Sequence, residues 1–163
     1  MDEITIGGYV PGAIGRVAEL HARYYSAAWD FGLFFEAKVA SGLSEFMSRF
    51  DPDRDGFWTV SRNECIEGAI AIDGAEADTA GAHLRWFILA EGLRGLGLGN
   101  RLMMEAVSFC RQHGYRQVYL WTFQGLHPAR HLYEKYGFRL AEQTPGRQWG
   151  REVLEQQFVL VLS

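Results

Sequence analysis

A mixed α/β layer fold with one central sheet is what this sequence predicts, and three observations carry the prediction. Strand-like runs and helical patterns succeed one another as two helices, three or four strands, a helix, a strand, a helix and two closing strands. A glycine-rich turn, Arg94-Gly-Leu-Gly-Leu-Gly99, joins the apolar run Trp86–Ala90 to a long helical pattern. At 163 residues the chain has the length of one domain that can bury its own core.

The elements follow in order. Ile4–Ile6 reads as a short first strand. Pro11 then opens a helix on which Ile14, Val17, Ala18, His21, Tyr24, Tyr25 and Ala28 recur at helical spacing. A second helix is expected to turn Phe34, Phe35, Val39, Leu43, Phe46, Met47 and Phe50 inward, and "DPDRDG" ends it. Phe57–Val60 and Gly68–Ile72 read as a hairpin with Asn63-Glu64 at its tip. "DGAEADTAG" is loop, and His83–Ala90 a longer strand. Beyond the glycine turn, Leu102, Met103, Ala106, Val107 and Cys110 make one apolar face, and Gly114 stands where a helix end favours glycine. Val118–Phe123 is a strand by length and residue type. Pro128 suits the first turn of a short helix that Gly137 ends. Phe138–Glu142 and Val153–Leu162 close the sheet across the turn "TPGRQWG".

Composition narrows the function classes. A net charge of −4 gives no field for nucleic acid or acidic membranes. No apolar run reaches the roughly 18 residues of a membrane-spanning helix, and "MDEITIGGYV" lacks a basic segment followed by an apolar one. Cys65 and Cys110 show no metal-type spacing, so free thiols, a cytoplasmic location and no metal are expected.

The glycine turn carries the chemistry. A dinucleotide fingerprint would need glycine where Asn100 stands, and no G-x-x-x-x-G-K-[ST] run occurs. What remains is Arg94-x-x-Gly97-x-Gly99 between a strand and a helix. There the N–H groups of Gly95, Leu96, Gly97, Leu98, Gly99 and Asn100 can converge at a helix N-terminus, an arrangement that binds a pyrophosphate without several basic side chains. A strand-to-helix turn without a ligand is the bland alternative.

"RGLGLG" after "WFILAE", followed by "PARHLYEKYGF", resembles the GNAT superfamily of N-acetyltransferases. The first run matches the R/Q-x-x-G-x-G/A cofactor loop of that superfamily. The second matches its A-x-x-L-Y-x-x-x-G-F pattern through Ala129, Leu132, Tyr133, Gly137 and Phe138. "GFRLAEQTPGRQWGREVLEQQFVL" is further similar to acetyltransferase domains sometimes fused to MarR-type regulators, whose DNA-binding half has no counterpart in the sequence. The resemblance is specific from Phe57 onward; the two N-terminal helices match only in type and order.

The resemblance implies a single N-acetyltransferase domain over residues 1–163, with a mostly antiparallel sheet, splayed central strands and helices on both faces. It implies acetyl-CoA between the strands His83–Ala90 and Val118–Phe123, with Phe87, Ile88 and Leu89 meeting the pantetheine through backbone groups, as a pseudo-strand would. Tyr133 falls on the superfamily's general-acid tyrosine; a phenol, with a pKa near about 10, stays protonated and can donate to a departing thiolate. Tyr136 is its near neighbour, and a core aromatic is the other account of Tyr133. His83 falls on the position of a catalytic glutamate in the histone-acetyltransferase branch, so it is the candidate base, or else a half-exposed strand residue. Glu36, Tyr24 and Tyr25 lie on helices that often wall the acceptor site in this superfamily. Leu126-His127 stands where relatives often carry a cofactor-touching asparagine, a departure that leaves that contact unassigned.

Acetyl transfer to a primary amine of a small or amino-acid-like molecule is the expected function, without nucleic acid, membrane or metal; the resemblance allows a homodimer. A non-catalytic CoA-binding sensor, a protein or peptide acetyltransferase and a transferase of another acyl group are the alternatives. Only the enzyme readings need Tyr133.

Overall fold

The computed structural model describes residues 2–162. Its elements are β1 (Ile4–Gly7), α1 (Ala13–Trp29), α2 (Leu33–Ser48), β2 (Gly56–Arg62), β3 (Cys65–Asp73), β4 (Ala82–Leu89), a 3-10 turn (Glu91–Leu93), α3 (Leu98–Gln112), β5 (Gln117–Phe123), α4 (His127–Lys135), β6 (Arg139–Gly146) and β7 (Val153–Val161). The seven strands form one sheet in the order β1-β2-β3-β4-β5-β7-β6, and every neighbouring pair is antiparallel except β4 and β5. This is the mixed, mostly antiparallel sheet expected.

Side chains alternate across the sheet and build a core on each face. Ile70 and Ile72 of β3 pack with Leu102, Met103 and Ala106 of α3 and with Tyr133 of α4. Ala69 and Ala71 point the other way, and their small size admits the aromatic faces of α1 and α2, including Phe35 and Phe46. Helices therefore cover both faces.

The central pair is splayed. β4 and β5 are paired only at Ala82↔Val118 and His83↔Tyr119. On the other side of β4 the register with β3 slips between Ala69 and Ala71, beside Trp86, whose φ of +51° marks a bulge. The bulge turns Phe87–Leu89 away from β5 and leaves an open wedge in the middle of the sheet.

Local signals explain most boundaries. Asn63 (φ 51°) and Glu64 (φ 69°) form the tip of the β2–β3 hairpin, a turn that demands left-handed backbone at both positions. Three expectations shift. Phe34 is 61% exposed and Phe50 lies beyond α2, because the inward row of that helix is Phe35, Val39, Leu43 and Phe46. Ala28 is exposed, since α1 overhangs the wedge there. β6 runs on through Thr144-Pro145-Gly146, which an edge strand tolerates because a proline there sacrifices no central ladder bond.

Asp73 ties three elements together at the end of β3. Its carboxylate accepts hydrogen bonds from Arg49 Nη1 (3.0 Å) and Nη2 (2.7 Å), from Arg85 Nη1 (3.1 Å) and from the Ala75 N–H (3.1 Å). Burial pushes this carboxyl up, but the Arg49 hydrogen bonds, the Ala75 N–H and the charges of Arg49 and Arg85 outweigh burial and bring it down to about 2. The ionised form therefore stabilises the fold above its ordinary value of 3.8, and the contribution is lost as pH falls through 2. Asp73→Asn is expected to cost about 2 kcal/mol at neutral pH, the scale of hydrogen bonds to a charged group. Urea midpoints should show the gap from wild type narrowing below pH 3.8; a gap that ignores pH would contradict the assignment.

Candidate active site

Two clefts open where β4 and β5 diverge. The larger, about 750 Å³, runs between the ends of α1, the edge of β4, the glycine turn and α4. Phe87, Ile88, Leu89, Arg94, Gly95, Gly97, Leu98, Gly99 and Asn100 all line it. Of the residues expected at a cofactor, Leu96 alone does not; it is 59% exposed and points outward.

Left-handed backbone shapes this wall. Gly95 (φ 82°) and Gly97 (φ 76°) take conformations that a side chain would strain, and Gly97 caps α3. The first helical bond is Arg101 N–H to Gly97 O, at 3.1 Å. Among the described residues, the N–H groups of Gly95 through Asn100 donate to no protein acceptor. They crowd one helix N-terminus beside the cleft, which suits a phosphate anion. Arg94 stacks on Tyr24 with its guanidinium carbon 5.1 Å from the ring centre, and its Nε lies 3.4 Å from Leu89 O. Tyr24 therefore braces the glycine-turn end of the cleft.

α4 braces the same turn. Tyr136 donates its hydroxyl to Asn100 O and Oδ1, both at 3.0 Å, and Lys135 Nζ reaches Asn100 Oδ1 at 3.1 Å. This separates the two tyrosines: Tyr136 is a strut of the loop, while Tyr133 faces elsewhere. His131 lines the cleft, as do Trp29, Gly125 and Leu126. Gly125 (φ 114°) is needed there because a Cβ would overlap the Trp29 ring.

The second cleft, a cavity of about 180 Å³, lies on the other side of the wedge. α1 and α2 supply His21, Phe35 and Lys38; β4 and β5 supply His83, Arg85, Trp121 and Thr122. Gln148 and Trp149, from the loop between β6 and β7, close it. That loop is anchored: Arg151 pairs with Asp30 at the end of α1, and Phe34 packs against Gly150. Exposed Phe34 thus holds the loop rather than the core.

Tyr25, Phe87 and Leu126 line both clefts, so the clefts meet there. Tyr133 lines the cavity, with its ring 6.3 Å from Phe87 and close to Phe138 (6.0 Å) and Phe158 (6.1 Å). Its hydroxyl has no protein hydrogen-bond partner, yet no fully buried side-chain polar atom among the described residues lacks one, so the hydroxyl is not completely sealed. Burial, helped by neighbouring Tyr25, pushes this phenol above its ordinary value. It is protonated at neutral pH.

The two cavity histidines are also neutral. His21 is held by a 2.8 Å contact of Nδ1 with Val17 O, and burial brings it down to about 4 despite that bond. His83 stacks on Tyr119 at 4.4 Å; burial and then the Arg85 guanidinium bring it down to about 3, against the pull of Asp73. Glu36 is brought to neither cleft. It lies on the exposed face of the first turn of α2, one position round from the inward row, and Tyr24 lines the larger cleft but not the cavity. The expectation is therefore corrected: of the three residues expected at the acceptor only Tyr25 lines the cavity.

A model of the acetyltransferase (GNAT) family matches residues 14–138. The chain belongs to the GNAT family. The two clefts where β4 and β5 diverge are its candidate site. The protein named probable N-acetyltransferase camello, of Xenopus tropicalis, is 30% identical over 143 residues, spanning 82% of this chain and 61% of camello. The chain is thus matched to less than two thirds of that relative. The uncharacterized N-acetyltransferase YjgM of Escherichia coli is 28% identical over 137 residues, spanning 82% of this chain and 79% of YjgM. A GNAT acetyltransferase of Staphylococcus aureus has the same fold, with a TM-score of 0.79 at 17% identity over 99% of this chain and 100% of that one. So has yncA of Salmonella typhimurium, solved with its cofactor acetyl-CoA, with a TM-score of 0.75 at 14% identity over 98% and 94%.

The GNAT site includes residues that sequence reasoning missed. Lys38, Arg85, Trp121 and the adjacent pair Gln148 and Trp149 come from four separate segments, and no local pattern joins them. Among the described residues, no helix is long and apolar enough to cross a membrane, and no group of three His, Cys, Asp or Glu side chains is placed to hold a metal.

Proposed function

We propose that this chain transfers the acetyl group of acetyl-CoA directly to a primary amine of a small molecule or amino-acid-like acceptor. The meeting of the two clefts at Tyr25, Phe87 and Leu126, with Tyr133 in the cavity wall and its ring 6.3 Å from that of Phe87, carries the reading. The names of camello and YjgM support transfer to nitrogen, and the acetyl-CoA of yncA supports the donor.

The residues fit acetyl-CoA. The unpartnered N–H groups of Gly95–Asn100 would hold its phosphates, and the edge of β4 at Phe87–Leu89, freed from β5, would pair with its pantetheine amides. When bound, acetyl-CoA supplies the acetyl group as a thioester. Phe87, Tyr25 and Leu126 exclude water from the junction. With acetyl-CoA bound, the acceptor nitrogen would attack the thioester carbon from the cavity as the neutral amine, the C–S bond would break, and Tyr133 Oη would give its proton to the leaving thiolate. The nitrogen would lose its surplus proton to water, from which Tyr133 would be reprotonated.

His83 lies in the cavity, where it can accept a hydrogen bond from water or from the amine. Held near 3, it keeps a proton poorly. The kcat/KM profile is therefore expected to rise with the acceptor's own deprotonation and to keep that limb in His83→Gln. A limb in the ordinary histidine range that vanishes in His83→Gln would make His83 the base instead.

The test is acetyl-CoA turnover against a panel of amines, amino acids and peptides, read as free thiol and as product mass. The proposal expects small amines to be acetylated. Tight CoA binding with no product across the panel would favour a sensor, and products confined to peptides would favour a protein acetyltransferase.

A further inference from the structure

Charge in the acceptor cavity runs against charge in the chain. The protein carries 20 acidic and 16 basic residues, yet the ionisable groups lining the cavity, apart from its tyrosines and neutral histidines, are Lys38 and Arg85. No carboxylate lines it. Lys38 makes no ion pair among the described residues.

Arg85 is held in place without being used up. Its guanidinium stacks 4.0 Å from the Trp86 ring, and only Nη1 donates, to Asp73. That carboxylate is already gripped by both terminal nitrogens of Arg49, so one anion serves two guanidiniums. The Nε–H and the Nη2 donors of Arg85 reach no protein acceptor among the described residues, although a guanidinium has five N–H donors in a fork that matches a carboxylate.

We propose that the acceptor is an amine that also bears a carboxylate, an amino-acid-like molecule whose anionic end is held by Lys38 and Arg85 while its amine points to the junction beside Tyr133. The inference rests on the transferase reading above. Arg85 and Phe87 flank the Trp86 bulge of β4 and both line the cavity, so one wall offers a cation for the carboxylate and, next to it, the junction for the attacking nitrogen. A simple cationic amine would meet two like charges with no counter-ion in the cavity wall. An amino acid brings its own, and the same cations favour loss of the ammonium proton, which frees the lone pair for attack.

The experiment runs each of the common amino acids beside its amide and its decarboxylated amine, with acetyl-CoA and the full chain. The accepted amino acid should exceed both partners by about tenfold or more in kcat/KM, as expected where charged donors are left unpaired by the wrong ligand. Lys38→Met, on an exposed helix position, should raise KM for the amino acid and narrow its lead over the amide. Lys38→Glu should shift preference toward the decarboxylated amine. If amide or amine does as well as the amino acid, the carboxylate proposal is overturned and the transferase reading stands. If nothing is acetylated while acetyl-CoA still binds, both fall together.

Discussion

Tyr133→Phe is expected to lower kcat by about 10²–10⁴-fold, the range of general acid–base catalysis, and to leave acetyl-CoA affinity unchanged. Two observations separate these effects. The Tyr133 ring packs against Phe87, Phe138 and Phe158, contacts that phenylalanine keeps. The hydroxyl has no protein partner, so its loss strands no donor or acceptor and should not lower stability. Tyr136→Phe gives the contrasting result. It removes the bonds to Asn100 that brace the glycine turn, so it should weaken acetyl-CoA binding and spare the chemical step. Full turnover by Tyr133→Phe on a genuine acceptor would assign the proton to another group.

Gly97→Val carries the second large effect. At φ 76° a β-branched residue is strained by about 1–3 kcal/mol, which corresponds to about 5–150-fold in affinity if the turn opens to relieve it. A Cβ at Gly97 meets no protein atom within 4 Å, so the fold should survive and any steric loss falls on the ligand. Gly97→Asn tolerates left-handed backbone and should lose less than Gly97→Val, separating strain from crowding. The readout is the acetyl-CoA concentration that raises Tm, since a ligand of the native state stabilises by mass action. A Gly97→Val protein with wild-type response would remove the turn from the phosphate site.

What the sequence makes legible is what depends on local signals. The α3 face and Gly97 are written in consecutive residues, one by helical spacing and one by a backbone demand only glycine meets easily. The Asn63-Glu64 hairpin tip is legible for the same reason. The smaller cavity is not, because Lys38, Arg85, Trp121 and Trp149 become neighbours only once the sheet has formed. Glu36 illustrates the limit: its helix was readable, but the side it faces is set by which aromatic row packs on β3 and β5. The same packing turns Phe34 onto Gly150, where helical periodicity alone puts it in the core. His83 is legible as a residue near the site, whereas its low proton affinity comes from burial and from Arg85.

Calorimetric titration of the wild-type chain with acetyl-CoA tests the account at its base. The unpartnered N–H groups of Gly95–Asn100 and the open edge of β4 predict saturable binding of one acetyl-CoA per chain, weakened in Gly97→Val and preserved in Tyr133→Phe. No heat of binding at millimolar acetyl-CoA would contradict it.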